Sequence, residues 1–441
     1  MVSLGLLSLL TWKLQPLPET PGKTRLLRVS DNNPLRKAQV DQFNASHPKF
    51  EVVIDPAGNN VEKVVVESMG GVGPDLFDCF DPFQLSAYVQ AGIAWDITDE
   101  LKKRNIDIQK EAFPGILPTC IFEGRTYGIP TNIAANAIWV HRDLLDESGI
   151  PVHKGTWKWS EFIPLAQKLT IRDAQGKPVR YGFYFDWWNY PHFFKGFGAH
   201  VYSPDGTRCI VDDAKSVAAV QLMHDLVYKY KVSSTPVEEA SAATAGGFGS
   251  GSISIFGAKH AAMALGGRWW LATLRTYKGL HLDVMESPID RVRQFGVAGR
   301  GLLINRESPK REQALEYLLS LAGPDYNNLV NDQADGITAF KKYTNSKQFL
   351  FNPKFPDETY NSVWRDVTDY TTGEETSPFV SGQVATRIMY DQLDLVKADQ
   401  KTAEQAMKDA AAQINAEIQK TLAEDPKLAQ RYNEVTKGGG K

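Results

Sequence analysis

Residues 25–54 read RLLRVSDNNPLRKAQVDQFNASHPKFEVVI, and this stretch decides the fold. RLLRVS is apolar and compatible with a strand. Asn33-Pro34 then sets a capping residue and a first-turn proline at a helix start. FEVVI returns as a strand. Two strands separated by one helix with short links must run parallel, because the helix carries the chain back to the starting edge. The pattern continues outward. Asn60 caps VEKVVVESM, which Gly70-Gly71 ends; PDLFDCF (74–80) is a third strand, and QLSAYVQAG a helix closing on glycine.

A second block starts near Asn136. AIWVHRDLL leads into TWKWSEFIPLAQKLT, where Ser160 is placed to cap a helix burying Phe162, Leu165, Ala166 and Leu169, spaced as one helical face. Residues 181–212 are aromatic and turn-rich, and 214–230 read as a helix. The Ala/Gly/Ser-rich stretch 240–257 reads as a mobile loop. The clearest helix comes late: Thr402 and Gln405 fit a capping box, and Ala403, Met407, Ala410, Ile414, Ile418 and Leu422 form one apolar stripe. No internal repeat is present.

A chain of 441 residues exceeds the size at which single cores stop growing, so two lobes are expected. Net charge of -3 gives no basic footprint, which argues against nucleic acid or anionic membrane as partner. Cys79, Cys120 and Cys209 are too few and scattered for a disulfide framework or zinc site; they read as buried free thiols, with a single bridge left open. An apolar run, Val2 to Leu10, is too short to span a bilayer, which takes about 20 residues. It reads as an atypical export signal or anchor, or else as a buried amphipathic start, and no cysteine follows it to make a lipoprotein. The stretch to Lys23 reads as a linker.

Catalytic constellations are not found. The histidines never fall at metal-ligand spacing, so neither a metal nor a cofactor is expected. Gly22-Lys23-Thr24 has Leu17 where a phosphate loop needs its first glycine, and GGFGSG (246–251) is followed by Ser252 where a dinucleotide loop needs its last. No GxSxG elbow occurs. Asp78 and Asp81 could in principle act as a glycosidase pair, or only accept hydrogen bonds from sugar hydroxyls.

Several short motifs occur in a recognisable order: Phe43-Asn44, Gly73-Pro74-Asp75-Leu76-Phe77, Ala91-Gly92-Ile93, Tyr127-Gly128-Ile129-Pro130, Gly149-Ile150-Pro151, Trp157-x-Trp159-Ser160-Glu161-Phe162 and Ala262-Met263-x-x-Gly266-Gly267-x-Trp269. The series resembles family 1 extracellular solute-binding proteins, the maltose-binding-like sugar receptors of bacterial ABC importers, over roughly residues 25–420. The sequence departs from that pattern at the poor signal and at the acidic Glu286-Ser287-Pro288-Ile289-Asp290. The resemblance implies a two-lobed α/β periplasmic-binding-protein fold of type II, with ligand in the cleft between lobes. It implies lobe 1 from 24–132 plus 290–337 and lobe 2 from 133–289 plus 338–437. It further implies a non-enzymatic carbohydrate receptor, monomeric and exported to the periplasm or the outer face of the cytoplasmic membrane, that closes about its hinge and delivers sugar to permease subunits. A sensor without transport and a carbohydrate-active enzyme are the alternatives.

Ligand-facing positions carry over one at a time. Ser30, Asp31 and Asn32 end the first strand, where polar groups face the crevice of doubly wound sheets. Asp78 and Asp81 follow PDLF; each serves ligand or merely a helix cap. Of Trp187 and Trp188, one is expected in the cleft and one packed. Trp269 falls on the family's stacking tryptophan, its face matched to the C–H face of a pyranose, while neighbouring Trp270 belongs to the core. Trp157 and Trp159 read as structural.

Overall fold

The computed structural model describes residues 20–31, 33–55, 60–242 and 251–438. The amino-terminal apolar run and Asn32 therefore lie outside the described residues. Strands β1 (Thr24–Val29), β2 (Phe50–Asp55) and β3 (Leu76–Cys79) are joined by the helices Leu35–Ser46 and Val61–Met69. β1 pairs with both neighbours in parallel, as the strand–helix–strand pattern requires. Asn60 caps its helix by accepting from the Lys63 N–H at 2.9 Å.

The element that joins the two lobes is β4 (Gly128–His141), with all 14 residues buried. Its first part pairs antiparallel with β7 (Val297–Ile304), which also borders β3. Its last part is flanked by β5 (Met263–Gly267) and β6 (Leu282–Met285). One sheet path, β6-β4-β7-β3-β1-β2, with β5 also on β4, thus runs through both lobes. Side chains alternate across β4. Ile133, Ala135, Ala137 and Trp139 enter one core, and Ile138 and Val140 enter another with Phe162, Phe193 and Met407. Between these cores the even positions are Asn132, Ala134 and Asn136.

Three local expectations change. The helix Trp159–Leu169 begins one residue before Ser160; Glu161 reaches back to accept from the Lys158 N–H at 2.8 Å, and this carboxylate, not the serine, closes the end. Within 240–257, read as a loop, Ser252–Gly257 forms a helix that buries Ile253, Ile255 and Phe256; residues 243–250 lie outside the described residues. Apolar side chains inside the Gly/Ser run drive that turn into the core. The helix Ala403–Glu424 carries the expected stripe, and Thr402 accepts from the Gln405 N–H at 3.2 Å, but Gln405 turns to Asp409 instead of completing the box. A further helix, Pro426–Gly438, follows it. Cys79, Cys120 and Cys209 are buried and unbridged.

Candidate functional site

A cavity of about 220 Å³ opens where β4 and β7 pass between the lobes. Its walls come from segments far apart in sequence. Phe80 and Asp81 follow β3, Asn136 comes from β4, and Trp188 and Asn189 sit on a 3-10 turn. Glu374 lies on the last return segment, with Tyr390 on the helix Gly382–Lys397.

Asp78 and Asp81 are three residues apart and have different fates. Asp78 lies inside β3 and is fully buried. It bonds Arg28 Nη2 through Oδ1 at 2.8 Å and accepts from Ser30 Oγ through Oδ2 at 2.5 Å. Burial pushes its carboxyl up and Arg28 draws it back, while Asp78 shifts Arg28 upward against Arg28's own burial. Asp31 joins the same network, 2.8 Å from Arg36, and Arg36 also bonds Asp335. Arg300 of β7 lies 3.7 Å from Asp78 and 3.8 Å from Asp31. Ser30, Asp31 and Asp78 are therefore brought together, but as ion-pair scaffolding at the ends of β1 and β3. Asp78, expected to meet ligand, has both oxygens engaged by protein and does not line the cavity. Asp81, just past the strand end, does line it. It caps the helix Pro82–Gln90, accepting from the Gln84 N–H at 2.8 Å, and burial raises its pKa against that donor.

The tryptophan pairs divide. Trp187 is 7% exposed and packs with Phe185, whereas Trp188 is 44% exposed and faces the cavity. Trp270 is 1% exposed, its ring laid on Gly266 so closely that a Cβ there would come within 2.5 Å. Trp269, half-buried and edge-on to Trp270 at 6.3 Å, lies against Gly267, where a Cβ would come within 2.6 Å of its ring. It is not among the side chains lining the cavity. Trp157 and Trp159 are buried in the second lobe's core.

Three contributors were missed by sequence reading. Asn136 donates from Nδ2 to Asn189 Oδ1 at 2.9 Å, leaving Asn136 Oδ1 and Asn189 Nδ2 without partners although the residues are only 5% and 2% exposed. The pair thus offers one acceptor and one donor beside the cavity. The signal was present: an asparagine in an otherwise apolar strand needs a partner from elsewhere. Glu374 is the third. Its side chain is open to the cavity yet surrounded by protein, and burial first, then Asp81, push its carboxyl up to about 7 against the pull of Lys195. His192 lines the floor as a neutral ring, its pKa lowered to about 3 by burial. It sits 2.7 Å from Ser287 Oγ and accepts from the Gly296 N–H at 3.2 Å. Among the described residues no group of side chains could hold a metal, and no helix is long and apolar enough to cross a membrane.

Aromatic faces, spare amide groups and desolvated carboxylates in a crevice between two lobes suit reversible binding of a small polar molecule. Comparisons with known proteins agree with that architecture. An ABC substrate-binding protein of Listeria monocytogenes in complex with cycloalternan superimposes with a TM-score of 0.75 at 18% identity, covering 89% of this chain and 98% of that one. Maltose-bound MalE3 of T. maritima gives 0.70 at 20% identity, covering 88% and 98%. In sequence, a provisionally named binding protein of Brucella abortus is 27% identical over 182 residues, 37% of this chain; the match spans only 40% of that relative's length. Residues 29–328, well over half of the chain, match the family of bacterial extracellular solute-binding proteins, and with the two-lobed fold this places the chain in that family.

Proposed function

We propose that the protein is the carbohydrate-binding component of a bacterial ABC importer. It works outside the cytoplasmic membrane, closes its lobes over a sugar and presents it to permease subunits. The observation that carries this reading is the Asn136–Asn189 pair, a spare acceptor and a spare donor at the foot of the cavity that Trp188 walls. A pyranose matches that arrangement: a C–H face for an indole, and hydroxyls that donate and accept at once. Asp81 supplies a further acceptor. Trp269, on the 3-10 turn after β5, is kept as a second stacking face for a longer sugar. The fold-level relatives bound to cycloalternan and maltose support a carbohydrate over other solutes. Both lobes contribute walls, so closure about β4 and β7 follows from occupancy.

A thermal-shift screen against mono- and oligosaccharides tests this, because a ligand at 100 times its Kd stabilises by about 2.7 kcal/mol. At least one sugar should raise the melting temperature, and small-angle scattering should show a smaller radius of gyration with it. A complete absence of sugar-dependent shifts would refute the reading.

A further inference from the structure

We propose that the preferred ligand is a sugar bearing a protonated amine, held between Asp81 and Glu374. This rests on the carbohydrate reading above and narrows it.

The argument is a charge count around one cavity. Asp81 enters from the end of β3 and Glu374 from the return segment beside the second lobe, and both line the same space. Among the described residues no Lys or Arg lines it. Lys195, the nearest cation acting on Glu374, has its ammonium 3.1 Å from Glu375. Arg387 lines the adjoining mouth with Asp391 and Asp81, outside the lining of this cavity. His192 is neutral with both ring nitrogens engaged. The internal stretches outside the described residues, 32, 56–59 and 243–250, contain no Lys or Arg in sequence. Two carboxylates therefore line one space, and among the described residues neither has an ion-pair partner; Lys195 acts on Glu374 only from its place against Glu375.

Neutral hydroxyls can donate to these carboxylates but cannot cancel their repulsion; one acid would have to hold a proton. The upward push on Glu374, with Asp81 among its causes, is that repulsion seen from one side. An ammonium removes it. The aromatic walls suit the same group, since Trp188 and Tyr390 present electron-rich faces that attract a cation. The spare donor and acceptor of Asn189 and Asn136 remain for the sugar's hydroxyls.

The test is calorimetric titration at pH 7 with matched sets that differ at one position. D-glucosamine is set against N-acetyl-D-glucosamine and D-glucose, with the corresponding galacto and manno sets and β-1,4- and α-1,4-linked dimers. In at least one set the amine should bind about tenfold more tightly than its acetylated and neutral partners. Glu374→Gln should cut that tenfold preference to about threefold or less. If neutral or acetylated sugars bind as tightly as the amines, the inference fails and the sugar-binding reading stands. If the preference survives in Glu374→Gln, the carboxylate pair is not its source. If no member of any set binds, both readings fail.

Discussion

Adjacent tryptophans Trp269 and Trp270, with Trp188 across the cavity, allow fold and ligand energetics to be separated by one series of alanine variants. Trp270 is 1% exposed and sits in the core shared by Trp139 and Trp364. Truncating a buried tryptophan removes its transfer energy and leaves a void, together about 3–5 kcal/mol. With Gly266 closing over its ring, the backbone there has little room to collapse into the gap. Trp188 is 44% exposed, so its removal leaves little buried void and should cost the fold no more than about 1 kcal/mol. Its cost falls on binding. A sugar face covering roughly 40–120 Å² of apolar surface, at about 25 cal/mol per Å², amounts to about 1–3 kcal/mol. That is a loss of about 5- to 150-fold in affinity. Trp269 lies between these limits. It is half-buried and lies against Gly267, so its alanine variant should lose part of both.

Urea unfolding and calorimetric titration with the tightest sugar from the screen decide the matter. The expected result is a large midpoint shift for Trp270→Ala with ligand affinity measurable and near normal, and the reverse for Trp188→Ala. Unchanged affinity in Trp188→Ala would remove the aromatic wall from the proposed site. Unchanged affinity in Trp269→Ala, alongside a loss in Trp188→Ala, would limit stacking to Trp188.

Two further outcomes concern buried charge. Asp78→Asn should destabilise the fold by about 3–5 kcal/mol in urea melts, because Arg28 is left charged in a site with no access to water; a cost below about 1 kcal/mol would mean that Arg36 and Arg300's neighbours rearrange to absorb it. Glu374 has its folded pKa raised from 4.5 to about 7, so its protonated form favours the fold. That contribution is complete below about pH 4.5 and lost as pH rises through about 7. The melting temperature of the wild type relative to Glu374→Gln should therefore fall across this window and level off above it. A flat difference would show Glu374 to be ordinarily hydrated. The low pKa values of His192 and His141 act in both proteins and cancel.

Much of the secondary structure was legible because its signals are local. The caps at Asn60 and Thr402 and the stripe from Ala403 to Ile418 depend on neighbours within four residues, and the structure realises them. Sequence was less informative where the deciding contact is distant. Whether an acid past PDLF meets ligand depends on where β3 ends, and the strand stops at Cys79, leaving Asp78 inside and Asp81 outside. Nothing local marks that limit. Glu374 reads as an ordinary loop acid until the return segment brings it opposite Asp81. Asn136 and Asn189 pair across 53 residues, and only the cost of an amide in an apolar strand hinted at the first of them. The helix at Ser252–Gly257 was hidden because Gly and Ser dominate its surroundings, while three buried apolar residues decide its packing.

The same unpartnered groups bear on how occupancy couples to closure. Each amide atom buried without a partner costs about 1–3 kcal/mol, and the empty cavity leaves two. Bringing Asp81 and Glu374 into one desolvated space adds a repulsive term of the same sign. Neither penalty exists when the lobes are apart and water reaches these groups. Under the proposed mechanism, the closed arrangement is thus disfavoured when empty and relieved by a ligand that supplies a hydroxyl to the asparagines and donors to the carboxylates. A ligand shifts a two-state equilibrium only through its difference in affinity for the two states. Here that difference is built from groups that one lobe alone cannot satisfy: Asp81 behind β3, Asn136 on the crossing strand, and Asn189 and Glu374 from the far side. The crossing strand serves both ends. Its odd residues fasten one core and its Ile138 and Val140 the other, so Asn136 sits between the two cores, where the proposed mechanism joins closure to ligand contact.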